Sequence, residues 1–242
     1  MSEDKYFEDF VALKKEYDEF IYIVSHDLKS PMRAISNITN WIEEDLGDNV
    51  NKDILDNFGL LKNRVGRLEK MMNALLELSR VNKLETKGDA ITLLEMIKEC
   101  IVMAEVNTSV KIKLDYNVKE LNVAILAKKM QKVFFELLDN AIQFHDKQKK
   151  NIFVTVNETD RMYEISVQDD GPGIVEEVRD KIFNIFYTVS SKDDLDTTGA
   201  GLAISKKIME TMAGKITYEA ASPIGSIFKI SWPKNNQLNL II

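Results

Sequence analysis

ILDNFGLLKNRVGRLEKMMNAL, residues 54–75, spaces its apolar side chains in alternating fours and threes: Ile54, Phe58, Leu61, Val65, Leu68, Met72 and Leu75. That repeat returns an apolar residue to one helical face at every half-heptad, the seam of a helix packed in the coiled-coil manner. Upstream, Phe10, Leu13, Tyr17, Phe20, Val24 and Leu28, then Ile35, Ile38 and Ile42, place a second apolar stripe on an earlier helix. Phe20, Val24 and Leu28 follow two consecutive fours where a heptad has a three, the mark of a stutter. Gly47-Asp48-Asn49 reads as the turn between the helices. Two long helices with one short connection predict an antiparallel hairpin that leaves part of its apolar seam uncovered. Two hairpins paired into a dimeric four-helix bundle cover it. Such a hairpin taken alone is read as a structural dimeriser.

The remainder follows a different pattern. Residues 1 to about 85 hold three glycines and no strand-like alternation, whereas the last third has short β-branched runs parted by glycine-rich turns. The change falls near Glu85-Thr86-Lys87-Gly88-Asp89. This predicts a helical domain over 1–85, a linker over 86–90 and a second domain over 91–242. With 242 residues, 45% of them hydrophobic, the chain can bury a substantial core. A formal charge of −7 gives no general attraction for nucleic acid or anionic membrane. No long apolar run and no signal-peptide pattern is present, so a cytoplasmic chain without a membrane span is expected. The single cysteine, Cys100, lies in an apolar stretch and reads as a core thiol, and two histidines exclude histidine-rich metal sites.

One of those histidines has unusual neighbours. His26 lies two positions after Val24 and two before Leu28, about 200° round the helix from each, so it faces away from the apolar stripe. Asp27 follows, where a carboxylate can accept the proton of one ring nitrogen and leave the other a free lone pair. Pro31 removes the hydrogen bond to the Asp27 carbonyl and predicts a bend one turn beyond the histidine.

In the second half, AKKMQKVFFELLDNAIQFH (127–145) predicts a helix burying Met130, Val133, Phe134, Leu137, Ala141 and Ile142. Glu136, Asn140 and Gln143 share its other face, where oxygen ligands one turn apart suit Mg²⁺ and a solvated polar face fits equally. MYEISVQDDGPGI (162–174) is an alternating strand ending in Asp169 and the turn Gly171-Pro172-Gly173. A carboxylate there can accept a hydrogen bond from an exocyclic amine such as adenine's, although a plain Asp-Gly turn reads alike. The stretch from Lys192 to Leu202 then opens a helix with Gly199 and Gly201 at its N-terminus, a phosphate-binding geometry. Strands near 215–221 and 227–232 close the chain.

These segments, in this order, carry a family resemblance. FIYIVSHDLKSPMRAI (20–35) resembles the phosphoacceptor box of sensor histidine kinases, with His26, Asp27, Leu28, Lys29, Ser30 and Pro31 filling its places. FELLDNAIQF resembles the N box of the Bergerat ATPase fold found also in gyrase-type and Hsp90-type ATPases. QDDGPGI resembles the first glycine box, KIFNIFYTV (181–189) the F box and TTGAGLAI (197–204) the second glycine box. The resemblance implies Mg²⁺ at Asn140 with Glu136 close by, adenine at Asp169, and ATP contacts from Gln143, Gly171, Gly173, Gly199, Gly201 and the lid residue Lys192. It also implies a fold: a helical hairpin forming a dimeric four-helix bundle, then an α/β sandwich with a mixed sheet on about three helices. Three places depart from the pattern. Thr197 stands for a glycine, Gln143 for a common basic residue, and Ser30 for the Thr or Asn linked to dephosphorylating the partner. His145, next to the expected triphosphate, reads as structural rather than catalytic.

The resemblance implies an ATP-dependent kinase that phosphorylates its own His26 and relays the group to an aspartate of a response-regulator receiver domain. It further implies a homodimer controlled by an upstream sensor domain or sensor protein. Two rivals keep the same motifs: a scaffold dimer with a degenerate ATPase-like domain, and an ATPase that activates water through Glu136 with no phosphoacceptor.

Overall fold

The computed structural model describes residues 3–47, 51–81, 92–108, 110–118, 127–189 and 197–234. Asp48 and Asn49 of the expected turn, the expected linker 86–90 and Lys192 lie outside them. The described residues divide into two compact units: one takes in the residues up to Arg80 together with 197–200, the other Val81–Val189 and the residues from Gly201 onward.

The helical part of the first unit is a hairpin of α1 (Glu3–Leu46) and α2 (Lys52–Arg80). α1 continues as helix through Pro31. Among its described side chains the shielded positions are Asp18, Ile21, Ser25, Lys29, Met32, Ser36, Thr39 and Glu43, and the spacing Ile21-Ser25-Lys29 repeats the double four of the adjoining apolar stripe. The apolar stripe itself stays outside: Leu13 is 66% exposed and Phe20 62%. The two most deeply buried side chains among them, Ser25 and Thr39, are small and polar. Thr39 Oγ1 satisfies itself on the Ile35 carbonyl at 2.7 Å, and Lys62 pairs with Glu43 across the hairpin. On α2, Val65 and Met72 are buried while their seam partners Leu61 and Leu68 are exposed.

The second unit is a two-layer α/β sandwich. α3 (Leu93–Thr108) starts at a capping box: the Thr92 hydroxyl accepts the Glu95 N–H at 3.2 Å, and the Glu95 carboxylate accepts the Thr92 N–H at 3.1 Å. After β1 (Lys111–Asn117) comes α4 (Ala127–Gln143), whose last carbonyls are met by the Lys150 ammonium at Ile142, 2.6 Å. β2 (Asn151–Glu158), β3 (Met162–Asp169), α5 (Gly201–Thr211), β4 (Lys215–Ala220) and β5 (Ser226–Pro233) follow. The strands form one mixed sheet in the order β1-β2-β3-β5-β4, parallel only between β1 and β2.

Along β3 every second residue is buried: Tyr163, Ile165, Val167 and Asp169. These meet Met130, Val133, Phe134, Leu137 and Leu138 of α4, with Ile208 and Met209 of α5 and Met96, Ile97 and Cys100 of α3 completing the core. This is the mixed sheet on three helices expected from the sequence. Burial pushes the Cys100 thiol up to about 12, so it packs as an inert core residue. The same period-two alternation that buries Val167 delivers Asp169 to the buried face at the strand's end.

Candidate functional site

In the hairpin, His26 stands clear of the packed face, its side chain 70% exposed. Its Nδ1 lies 3.2 Å from Asp27 Oδ1. With the proton on Nδ1 donated to that carboxylate, the Nε2 lone pair points to solvent. Tyr22, one turn earlier, stacks on the imidazole with ring centroids 6.2 Å apart and planes 24° apart. The Arg80 guanidinium, at the end of α2, sits 5.0 Å from the centre of the Tyr22 ring. Ser30 is exposed one turn beyond His26, on the same side of α1.

In the second unit the centre is Asp169. Its Oδ1 accepts the Gly171 N–H at 2.8 Å and the Ser226 N–H at 3.3 Å. Burial raises this carboxyl above the ordinary carboxylate range, and the backbone bonds from Gly171 and Ser226 oppose the rise only in part. The turn around it is made of close approaches. A Cβ on Gly225 would run into the Asp169 carbonyl, and one on Gly173 would reach the Gly225 carbonyl at 3.0 Å. Both residues have positive φ, +122° and +73°, which glycine adopts without strain.

α4 contributes Glu136 and Asn140, both half-buried and one turn apart. Glu136 pairs with Lys132 at 2.9 Å, and its carboxylate lies against the first residue of α5, where a Cβ on Gly201 would collide with it. Helix α5 thus begins beside an acidic side chain, at the end where backbone N–H groups are free. Just before it, Gly199 has φ of +69°, and Thr198 Oγ1 accepts the Ala200 N–H at 3.3 Å. Gln143 is turned elsewhere: its amide donates to Asp139 at 2.6 Å. Asp139 is itself raised by burial.

Periodicity and spacing gave no sign of several partners. Ser226 reaches Asp169 from 57 residues away, and His145 bonds Asp170 at 2.7 Å from 25 residues away. Neither separation leaves a local pattern. Tyr22 was missed, although a residue four before His26 shares its helical face. Among the described residues no group of three or more His, Cys, Asp or Glu side chains stands ready for a metal. The oxygen donors Glu136 and Asn140 therefore fit only an ion that takes most of its ligands from elsewhere, as Mg²⁺ does with phosphate and water.

Two family models match the chain. Residues 16–83 match the His Kinase A (phospho-acceptor) domain, and residues 126–236 match the histidine kinase-, DNA gyrase B- and HSP90-like ATPase. Cyanobacterial phytochrome B of Nostoc sp. (strain PCC 7120 / SAG 25.82 / UTEX 2576) is 32% identical, over 88% of this chain and 29% of that protein. The signal transduction histidine-protein kinase ArlS of Staphylococcus aureus (strain USA300) is 27% identical, over 88% of this chain and 48% of its own length. The chain thus spans under a third of the phytochrome relatives it matches. Among solved structures, histidine kinase ThkA in complex with response regulator protein TrrA superposes with a TM-score of 0.64 at 21% identity, covering 96% of this chain and 67% of that one. No helix among the described residues is long and apolar enough to cross a membrane. The two domain matches together take in well over half of the sequence, in the expected order, and the chain belongs to the sensor histidine kinases, carrying their phosphoacceptor and ATP-binding domains.

Proposed function

We propose that this chain is the catalytic core of an ATP-dependent protein histidine kinase that phosphorylates His26. The observation that carries the reading is an exposed imidazole whose Nδ1 is engaged by Asp27, in a chain that also holds an ATPase-type site centred on the buried Asp169. Residues 1–85 act as the dimerising phosphoacceptor domain, 86–90 as a linker and 91–242 as the nucleotide domain.

Adenine's exocyclic amine donates to Asp169, Gly171 and Gly173 allow the backbone close to the base, Gly199 and Gly201 bind the phosphates, and Lys192 supplies them with a cation. Gln143 joins them by exchanging its bond to Asp139 for one to nucleotide. Asn140 and Glu136 would hold Mg²⁺, which neutralises the charge of the β- and γ-phosphates. The Nε2 lone pair of His26 attacks the γ-phosphorus in line with the bond to the β,γ-bridging oxygen. That bond breaks, ADP leaves with the electron pair, and the Nδ1 proton remains shared with Asp27. A receiver aspartate on a separate response regulator then takes the phosphoryl group. The ThkA complex with its regulator supports that partner class. Ser30 stands where a hydroxyl can position water for the reverse, dephosphorylating reaction. The exposed stripe through Leu13 and Phe20 supports a homodimer, governed by an upstream sensor domain or protein, and the reading places the chain in the cytoplasm.

Radiolabelled ATP tests this with wild type, His26→Gln and Asn140→Ala. Wild type acquires an acid-labile phosphate, and both variants lose it. Labelling of His26→Gln at the wild-type rate would overturn the reading, and steady phosphate release unaffected by that change would favour a plain ATPase.

A further inference from the structure

We propose that His145 is a positioning residue for purine selection, acting through Asp170 and Gly171 to hold the Asp169 carboxylate where an adenine amine meets it. This rests on the ATP-site reading above. The His145 side chain is completely buried, and both ring nitrogens are used. Nδ1 accepts the Lys147 N–H at 3.1 Å, so the proton sits on Nε2, which donates to Asp170 Oδ1 at 2.7 Å. A ring fixed at both nitrogens and withdrawn from solvent is placed to orient its neighbours, not to touch phosphate.

The neighbours it orients lead to Asp169 by two routes. Asp170 also accepts the Asn151 backbone N–H at 3.1 Å, the Asn151 amide at 2.8 Å and the Lys147 ammonium at 3.2 Å. It therefore ties the end of β3 to the first residue of β2 and to the segment after α4. Asp169 is the preceding residue, and its direction is set by that backbone. The second route is steric: a Cβ on Gly171 would stand 3.7 Å from the imidazole Cγ, so the ring packs beneath Gly171, whose N–H binds Asp169 Oδ1. Moving the imidazole moves both Asp170 and Gly171, and leaves the Ser226 N–H as the bond to the carboxylate that it does not touch. A donor–acceptor match to a base tolerates little displacement, since hydrogen bonds weaken steeply with misalignment.

A purely structural histidine would change stability and leave base preference alone, which sets the experiment. Dissociation constants for Mg·ATP and for inosine triphosphate, which lacks the amine, are measured on the full chain with melting temperatures. The proteins are wild type, His145→Leu, His145→Gln and Asp170→Asn. Wild type prefers ATP; His145→Leu and Asp170→Asn lower that preference about tenfold, and His145→Gln, whose amide replaces the Nε2 donor, keeps most of it. An unchanged preference in Asp170→Asn, with or without a lower melting temperature, overturns the inference while the ATP site stands. Should His145→Leu fail to fold, Asp170→Asn alone decides. Absence of nucleotide binding by wild type overturns the ATP-site reading itself, and the inference with it.

Discussion

The Tyr22 ring stacks on the His26 imidazole at 6.2 Å, one helical turn away, and carries the Arg80 guanidinium at 5.0 Å from its own centre. An exposed imidazole on a helix otherwise samples several rotamers. Stacking of this kind contributes about 0.5–1.5 kcal/mol. Tyr22→Ala is therefore expected to slow His26 labelling by about two- to tenfold, with nucleotide affinity unchanged, and Tyr22→Phe to stay near wild type. Single-turnover labelling beside nucleotide titration separates the two effects. Equal losses in Ala and Phe would shift the role from the ring to the hydroxyl.

If Asp169 receives adenine as proposed, it trades stability for nucleotide affinity. Burial raises its carboxyl, so the folded state holds the proton to higher pH than the unfolded chain does. Its contribution to stability is then complete below the unfolded value of about 3.9 and is lost as pH rises through the raised folded value. At pH 7 the ionised group costs stability. Asp169→Asn keeps an oxygen for the Gly171 and Ser226 N–H groups, so an equal or higher melting temperature is expected at pH 7, with ATP binding lost. Wild-type affinity for ATP weakens on acidification as the carboxylate protonates. Calorimetric titrations and melts at several pH values check both signs.

Much of this arrangement was readable from the chain. Period two along Tyr163, Ile165 and Val167 both buries β3 and delivers Asp169 to its inner face, so strand and site residue come from one pattern. The hairpin was legible as two helices, but not which faces meet. Apolar residues are expected inside, whereas among the described residues of α1 Ser25 and Thr39 are the buried ones and the Phe20 stripe is outside. A small polar residue that bonds its own helix carbonyl, as Thr39 does, looks in sequence like any surface residue. The Ser226–Asp169 and His145–Asp170 bonds were illegible for another reason. They join segments brought together by sheet order, which spacing along the chain does not encode.

Gly201 makes a sharper test of the nucleotide site than a ligand deletion. A Cβ there meets the Glu136 carboxylate, so Gly201→Ala must push Glu136 aside or shift the start of α5. Mg·ATP affinity is expected to fall at least about tenfold, the scale on which displaced site groups act. Alanine also favours the helix by about 0.5–1 kcal/mol over glycine, so thermal stability is not expected to collapse. In Gly201→Ala with Glu136→Ala the collision is relieved. The double variant should then melt above the Gly201→Ala single variant while still failing to phosphorylate His26.

The exposed stripe yields the last prediction. Leu61 and Leu68 alternate with the buried Val65 and Met72, and on α1 Leu13 and Phe20 stand open, so each hairpin shows two apolar flanks beside one packed face. Burial of one such leucine in a bundle contributes about 1.5–3 kcal/mol per chain, and a symmetric pairing counts it twice. A charge there adds the cost of desolvation. Leu68→Glu should therefore turn the dimer into monomer in sedimentation equilibrium at micromolar concentration, while circular dichroism of the ATP-binding unit is retained. Nucleotide binding should survive, because Asp169, Glu136 and Asn140 all lie in the other compact unit. Loss of His26 labelling with nucleotide binding intact would place the need for pairing at the transfer step. A variant that remains dimeric would move the interface away from Leu68.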